Sequence, residues 1–292
     1  VNIYQNTSAN IDIVLTLNLG LTNNNFYIVT DLENNKDSVL KQVKFTYQLD
    51  FIEESSFLEP LAVRSADDFI NMSSTGDYIL AQDITLEDYS PIDVNLNSFD
   101  GNGHTITIKS FALFSESSIS AGLFKQIYEN MVVMNLNINY ALGREDTSYY
   151  YDLCNNTSAV SYSEASFGGV TAINNGVITN CKVSGKVVLS ASGVEQSISD
   201  DTINFNIGGL VYQNATTGRI TNSESSLVMI AKANIAGVVV ENNGKIASTY
   251  FDANNDKGKI YAYNNSITVP YSIQVAGFAL QNASQAEISM CY

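Results

Sequence analysis

Gly169-Val170-Thr171-Ala172-Ile173-Asn174-Asn175-Gly176-Val177-Ile178-Thr179-Asn180-Cys181 returns, position for position, as Gly237-Val238-Val239-Val240-Glu241-Asn242-Asn243-Gly244-Lys245-Ile246-Ala247-Ser248-Thr249. In both, the β-branched residue stands nine positions after the glycine. Three further units run from Gly122 to Val133, Gly209 to Ile220 and Gly277 to Ile288, each at eleven positions, with the two extra residues placed in a turn. The anchors are small-Gly pairs followed by an apolar residue: Ala121-Gly122-Leu123, Gly168-Gly169-Val170, Gly208-Gly209-Leu210, Ala236-Gly237-Val238 and Ala276-Gly277-Phe278. Successive anchor glycines are 47, 40, 28 and 40 residues apart. A constant core joined by links of variable length is how a repeat array absorbs insertions.

Each unit holds two or three strands of four to six residues between Gly/Asn/Ser turns. One unit cannot bury its apolar face alone, so roughly three or more must associate. Equivalent positions then form ladders. Ile178, Ile220, Ile246 and Ile288 are expected in one aliphatic ladder, and Val170, Leu210, Val238 and Phe278 in another. Asn175, Asn214, Asn243 and Asn282 are expected to form an amide ladder at a corner, each side chain bonding to the next unit. The anchor glycine serves either a positive φ or a close backbone approach.

The pattern resembles the GLUG-type repeat of bacterial surface and secreted proteins. Gly169-Val170 through Asn180-Cys181-Lys182-Val183-Ser184-Gly185-Lys186-Val187 is similar to that family's glycine-to-Asn-Cys-to-Gly unit. The upstream runs Gly76-Asp77-Tyr78-Ile79-Leu80-Ala81 and Phe99-Asp100-Gly101-Asn102-Gly103-His104 resemble the approach to such arrays. The resemblance covers 63–292 and implies a right-handed parallel β-helix in an extracellular, often adhesive, protein. Most units lack the family's terminal V-G-type turn, and the 143–166 and 189–206 links are long.

The fold expected is therefore all-β, a right-handed parallel β-helix over 63–292 preceded by a small antiparallel β module over 1–60. In that module Ile11, Ile13, Leu15, Leu17 and Leu19 alternate with polar-rich partners, as do Val43, Phe45, Tyr47, Leu49 and Phe51. Period two puts each set on one strand face. Ser65 is read as the cap of a short helix over 66–72, with Asp67 and Asp68 at its positive end and Phe69, Ile70 and Met72 as its apolar face.

Composition narrows the function. The chain has 292 residues, 34 of them Asn, and a net charge of −16. A pI near 4.2 opposes nucleic-acid binding, which needs a Lys/Arg surface. It opposes anionic lipid for the same reason. The 45% apolar share fits a folded protein, yet no apolar run approaches the roughly 20 residues of a membrane helix. The chain opens on Val1 with no visible signal peptide, which suggests a processed chain or a fragment. Cys154, Cys181 and Cys291 show no metal-type spacing and read as buried free thiols.

Candidate chemistry is sparse. Parallel β-helix lyases and hydrolases need clustered carboxylates with a cationic or basic partner. Here the arginines are Arg64, Arg144 and Arg219, and no Asp pair recurs at equivalent strand positions. His104, the single histidine, lies in a tight turn and permits neither a His dyad nor a His-based metal site. Asp252, Asn254 and Asp256 alternate as Ca²⁺-loop oxygens do, but the closing acidic position, 263, is Tyr, so a solvated turn is the competing reading and calcium is only a secondary cofactor candidate. Arg144, Tyr149, Tyr150 and Tyr151, in the longest link, have the composition of a glycan or protein contact surface; the competing reading packs them on the repeat. The expectation is a non-catalytic, extracellular or cell-surface scaffold or adhesin without a cofactor, binding a glycan or a surface protein. The alternatives are a filament subunit associating through open repeat ends, where the chain stops at Cys291-Tyr292, and a polysaccharide-active enzyme.

Overall fold

A computed structural model describes residues 60–112, 118–141, 164–189, 204–231, 233–254, 257–262 and 273–292. The chain divides into a unit of Val1–Ser56 and a unit of Phe57–Tyr292, and all of the described residues fall in the second. The antiparallel module expected over 1–60 lies outside the described residues, Pro60 excepted.

The second unit is all-β, with one short helix among the described residues, and its strands form four sheets. The first sheet takes, in order, Leu61–Val63, Asp77–Leu80, Ser98–Asp100, Val132–Met134, Val177–Thr179, Arg219–Thr221, Lys245–Ala247 and Glu287–Ser289. The second takes Ser118–Ala121, Glu164–Gly168, Asn204–Gly208, Asn234–Ala236 and Val275–Ala276. The third takes Phe124–Ile127, Thr171–Asn174, Val211–Asn214, Val239–Asn242 and Ala279–Asn282. The fourth begins with Ile84–Leu86, Thr105–Ile108, Asn137–Ala141 and Lys182–Leu189, and continues through Glu224–Ser225, Val228–Ala231, Tyr250–Phe251 and Ile260–Ala262. Every pairing is parallel, for example Ile178↔Ile220↔Ile246↔Ile288 in the first sheet. From Phe124 onward the chain visits the third, first, fourth and second sheets in fixed rotation.

The core is one apolar cluster drawing on all four sheets. Its aliphatic columns follow the register. Ile178, Ile220 and Ile246 are buried and Ile288 is partly exposed; Val170, Leu210 and Val238 are buried, with Phe278 packed against the cluster. Burial of this kind contributes about 25 cal/mol per Å² of apolar surface.

The anchor glycines serve close approach. None of Gly122, Gly169, Gly209, Gly237 or Gly277 has a positive φ. A Cβ on Gly169 would lie 2.3 Å from the Gly209 carbonyl oxygen, one on Gly209 1.9 Å from that of Gly237, and one on Gly237 1.9 Å from that of Gly277. Backbones of neighbouring units meet at this corner, and a side chain on any of the first four glycines would wedge them apart; at Gly277, in the last unit, a Cβ meets nothing within 4 Å.

The amide ladder is real but shifted by one residue from the expected phase in two units. It runs Asn174 Nδ2 to Asn214 Oδ1 (2.8 Å), Asn214 Nδ2 to Asn242 Oδ1 (2.8 Å) and Asn242 Nδ2 to Asn282 Oδ1 (2.7 Å). Asn175 and Asn243 are not in it. Asn174 and Asn242 end their strands facing the core, whereas Asn175 and Asn243 lie in the turn that follows each strand. Each inward asparagine stands five residues after its anchor glycine; in the Gly122 unit that place is held by Ile127.

Ser65 caps the helix Ala66–Ile70, its Oγ accepting from Asp68 N–H at 3.0 Å. The helix ends sooner than 72: Asn71, its C-cap, still donates its N–H to the Asp67 carbonyl at 3.0 Å, but its backbone has left the helical region and the Met72 N–H turns to the Phe69 carbonyl, three residues back, at 3.4 Å. Ile70, expected on the apolar face, is 45% exposed. Phe69 and Met72, expected on that face with it, are buried, and Phe69 packs against Tyr89, Phe99 and Phe124 at centroid distances of 6.2, 5.5 and 5.8 Å.

Candidate functional site

The connections between sheets differ sharply in how much their lengths vary. From the second to the third sheet the link is two residues in all five units, beginning with Gly122-Leu123. From the first to the fourth it is two residues in the four units from Asn135-Leu136 to Ser248-Thr249. From the third to the first it is two or four, which accounts for the nine- and eleven-residue spacings. The link from the fourth sheet to the second carries the large variation: 109–117, 142–163, 190–203, 232–233 and 263–274. Three other connections are long: 64–76, which holds the short helix, 87–97, from the fourth sheet back to the first, and 252–259, which interrupts the fourth sheet.

The two-residue turns that follow the first sheet share a backbone conformation. After each first-sheet strand from Val132–Met134 onward, one residue takes the left-handed conformation: Asn135 (φ 53°), Asn180 (52°), Asn222 (50°), Ser248 (49°) and Met290 (51°). Asparagine tolerates this region best among non-glycine residues. Asn180 Nδ2 also donates to Asn135 Oδ1 at 2.8 Å, and Asn135 Nδ2 to Asp100 Oδ1 at 3.0 Å. In four units the next residue returns a short donor to the carbonyl two positions back: Cys181 Sγ to Thr179, Ser223 Oγ to Thr221, Thr249 Oγ1 to Ala247 and Cys291 Sγ to Ser289. Cys181 and Cys291 thus occupy a hydroxyl position of the repeat. Both are free, and burial pushes the Cys181 thiol up to about 12. These columns escaped the sequence reading, although Asn at the second position after Val133, Ile178 and Ile220 was a visible signal.

Of the expected site residues, Arg144, Tyr149, Tyr150, Tyr151 and Asp256 lie outside the described residues. Asp252 and Asn254 are placed at the start of the connection after Tyr250–Phe251, with the Asp252 N–H donated to the Ser225 carbonyl at 2.8 Å. Asp252 Oδ1 accepts from Asn254 N–H at 3.0 Å, and Lys257 Nζ stands 3.7 Å from Asp252 Oδ2. The Asn254 N–H, with Lys257 alongside, holds the Asp252 carboxyl below its usual value. That carboxylate is already engaged as a turn cap. Among the described residues no group of three or more His, Cys, Asp or Glu is placed to hold a metal ion.

His104 Nδ1 lies 3.2 Å from Asp83 Oδ1, which also accepts the Thr105 N–H at 2.8 Å. The Thr105 bond, then the imidazole, hold Asp83 below its usual value. On the outer face of the fourth sheet Lys182, Glu224 and Tyr250 stand in register. Tyr250 donates its hydroxyl to Glu224 Oε2 at 2.7 Å and Lys182 Nζ is 3.7 Å from the same oxygen. The Glu224 hydrogen bond, then burial, push the Tyr250 phenol up to about 12, so it is a donor at neutral pH and not a base. Both groups pair residues between adjacent strands.

No helix among the described residues is long and apolar enough to cross a membrane. No family model, no curated protein and no solved structure matches this chain.

Proposed function

We propose that the four parallel sheets are the faces of one right-handed parallel β-helix of GLUG-like repeats, and that the protein is a non-catalytic extracellular or cell-surface scaffold of the adhesin type. The observation that carries this reading is the concentration of length variation in the links from the fourth sheet to the second. Two corners keep fixed two-residue turns, while that one takes segments such as 142–163 and 190–203. Units in register at about 4.8 Å separation bring the departure points of successive links close together. A repeated core with one variable corner is the arrangement expected of a scaffold that displays recognition segments.

The 142–163 segment carries Arg144, Tyr149, Tyr150, Tyr151 and Tyr162 among Glu145, Asp146 and Asp152. Tyrosine supplies a flat apolar face with a polar tip, and carboxylates accept sugar hydroxyls, so a glycan or glycoprotein suits it. The test is a glycan and surface-protein array probed with the full chain and with a variant in which 145–160 is replaced by a short Gly-Ser linker. A ligand bound by the first and lost by the second, at equal melting temperature, supports the reading. Binding that survives the replacement, or turnover of a polysaccharide by the intact chain, defeats it.

A further inference from the structure

The outer face of the eight-stranded first sheet has an order of charge that none of the preceding roles uses. One column, set by the strand register, runs Asp77, Ser98, Val132, Val177, Arg219, Lys245, Glu287. Its members point away from the apolar cluster and are half-buried or exposed. The column is acidic and polar at one end, apolar in the middle and basic at Arg219 and Lys245, and it closes on Glu287 at the last strand. Arg219 has no ion-pair partner among the described residues, and Lys245 meets Glu287 at 3.4 Å in a pair more than half exposed, which holds its ammonium weakly.

We propose that this face is an interface between two copies of the chain. A half-turn about an axis lying along the strands and passing between Val132 and Val177 superimposes the face on itself with the order of strands reversed. Asp77 then lies opposite the partner subunit's Lys245, Ser98 opposite the partner subunit's Arg219, and Val132 opposite the partner subunit's Val177. A partner of a single charge would complement either Asp77 or the Arg219–Lys245 pair; a second copy sets Asp77 against Lys245 on both sides of the axis and leaves Glu287 with its own Lys245. An interface on a two-fold axis uses the same patch twice, which is the self-complementarity seen here. The two valine pairs supply the dry centre and the charges the rim. Seven strand spacings of about 4.8 Å by three residues of about 3.3 Å give a face of roughly 340 Å². That is below the roughly 800 Å² per partner of a stable complex, so the dimer is of the weak, concentration-dependent class. The dimer stands or falls independently of the scaffold reading.

The experiment is sedimentation equilibrium of the full chain from roughly 10 to roughly 500 μM, the range in which so small an interface associates, at about 0.15 M salt, where repulsion between the distant charges is screened. The average mass should climb from 31.8 kDa toward twice that value. Val177→Lys, which sets like charges on the two-fold axis, should abolish association. Lys245→Asp and Asp77→Lys should each weaken it about threefold or more, and the two together should restore it. Should Val177→Lys fail to fold, as judged by its melting curve, the rescue by the paired charge exchange decides alone. A monomer throughout the range, or association indifferent to the charge exchanges, overturns the proposal.

Discussion

Residues 61–127 and residues 164–292 share one rule of strand pairing and are held together by different means. The first region fills its interior with large rings. Phe69, Tyr89, Phe99, Phe111 and Phe124 contact one another at centroid distances from 5.5 to 6.2 Å, and the helix Ala66–Ile70 delivers Phe69 into them. The second region buries Phe167 and Phe205 but relies chiefly on residues in register: anchor glycines, a ladder of asparagines and β-branched columns. Rings fill volume and forgive modest changes of shape. Glycine against a carbonyl forgives none, because the added methyl must displace backbone. The contrast predicts that truncation is the damaging change in one region and enlargement in the other.

The largest expected effect is in the ring cluster. Phe69→Ala should cost about 3–5 kcal/mol in urea unfolding, since the cavity opens where Phe69 meets Tyr89, Phe99 and Phe124. A loss below about 1 kcal/mol would mean the helix is peripheral. Next comes Gly209→Ala, expected to cost about 3 kcal/mol, at the upper end of overpacking penalties. Its control is Gly277→Ala, where an added Cβ meets nothing within 4 Å and the midpoint should not move. Equal losses in the two variants would show that the glycines matter for chain flexibility and not for approach. Asn214→Ala leaves the Asn174 donor and the Asn242 acceptor buried without their partner, an expected loss of about 2–3 kcal/mol. Asn175→Ala, in the turn, should cost less than half as much in the same assay; the reverse order would restore the phase first expected.

Smaller effects refine the comparison. Ser248→Asn should stabilise by up to about 0.5 kcal/mol, because asparagine bears the left-handed conformation more easily than serine. A destabilised variant would put the strain elsewhere. The Tyr250 phenol is raised in the folded state, so its contribution is complete below pH about 10, the unfolded value, and fades as pH rises toward about 12. Tyr250→Phe should flatten that alkaline loss in a pH series of melting temperatures; an unchanged slope would assign the loss to other groups.

How far the sequence could be read followed from which interactions repeat in one dimension. Anchor glycines and the Ile178–Ile220–Ile246–Ile288 column return once in every unit, so unit-by-unit stacking was legible from the repeat, while the parallel direction of the strands was an expectation from the family resemblance that the register bears out. The amide ladder was legible as a pair of polar positions but not as a phase: in Asn174-Asn175 either residue satisfies the pattern, and only the strand end decides which faces inward. The left-handed column was hidden because two of its five members are Ser248 and Met290. Ile70 was misplaced because an apolar residue on a five-residue helix has too little periodicity around it to fix a face. The charge order on the outer face of the first sheet combines residues from seven strands, and no local window contains it.

The central claim is that a fixed repeat core carries the fold while the links from the fourth sheet to the second are free to vary. The most direct test replaces residues 145–160 with a short Gly-Ser linker and compares urea-unfolding midpoints and cooperativity with those of the intact chain. The account predicts a midpoint within about 0.5 kcal/mol of the original, the margin usual for surface changes, and an equally steep transition. A loss of several kcal/mol, or a transition that broadens into separate steps, would show that the long link is part of the core and would contradict the division between core and link.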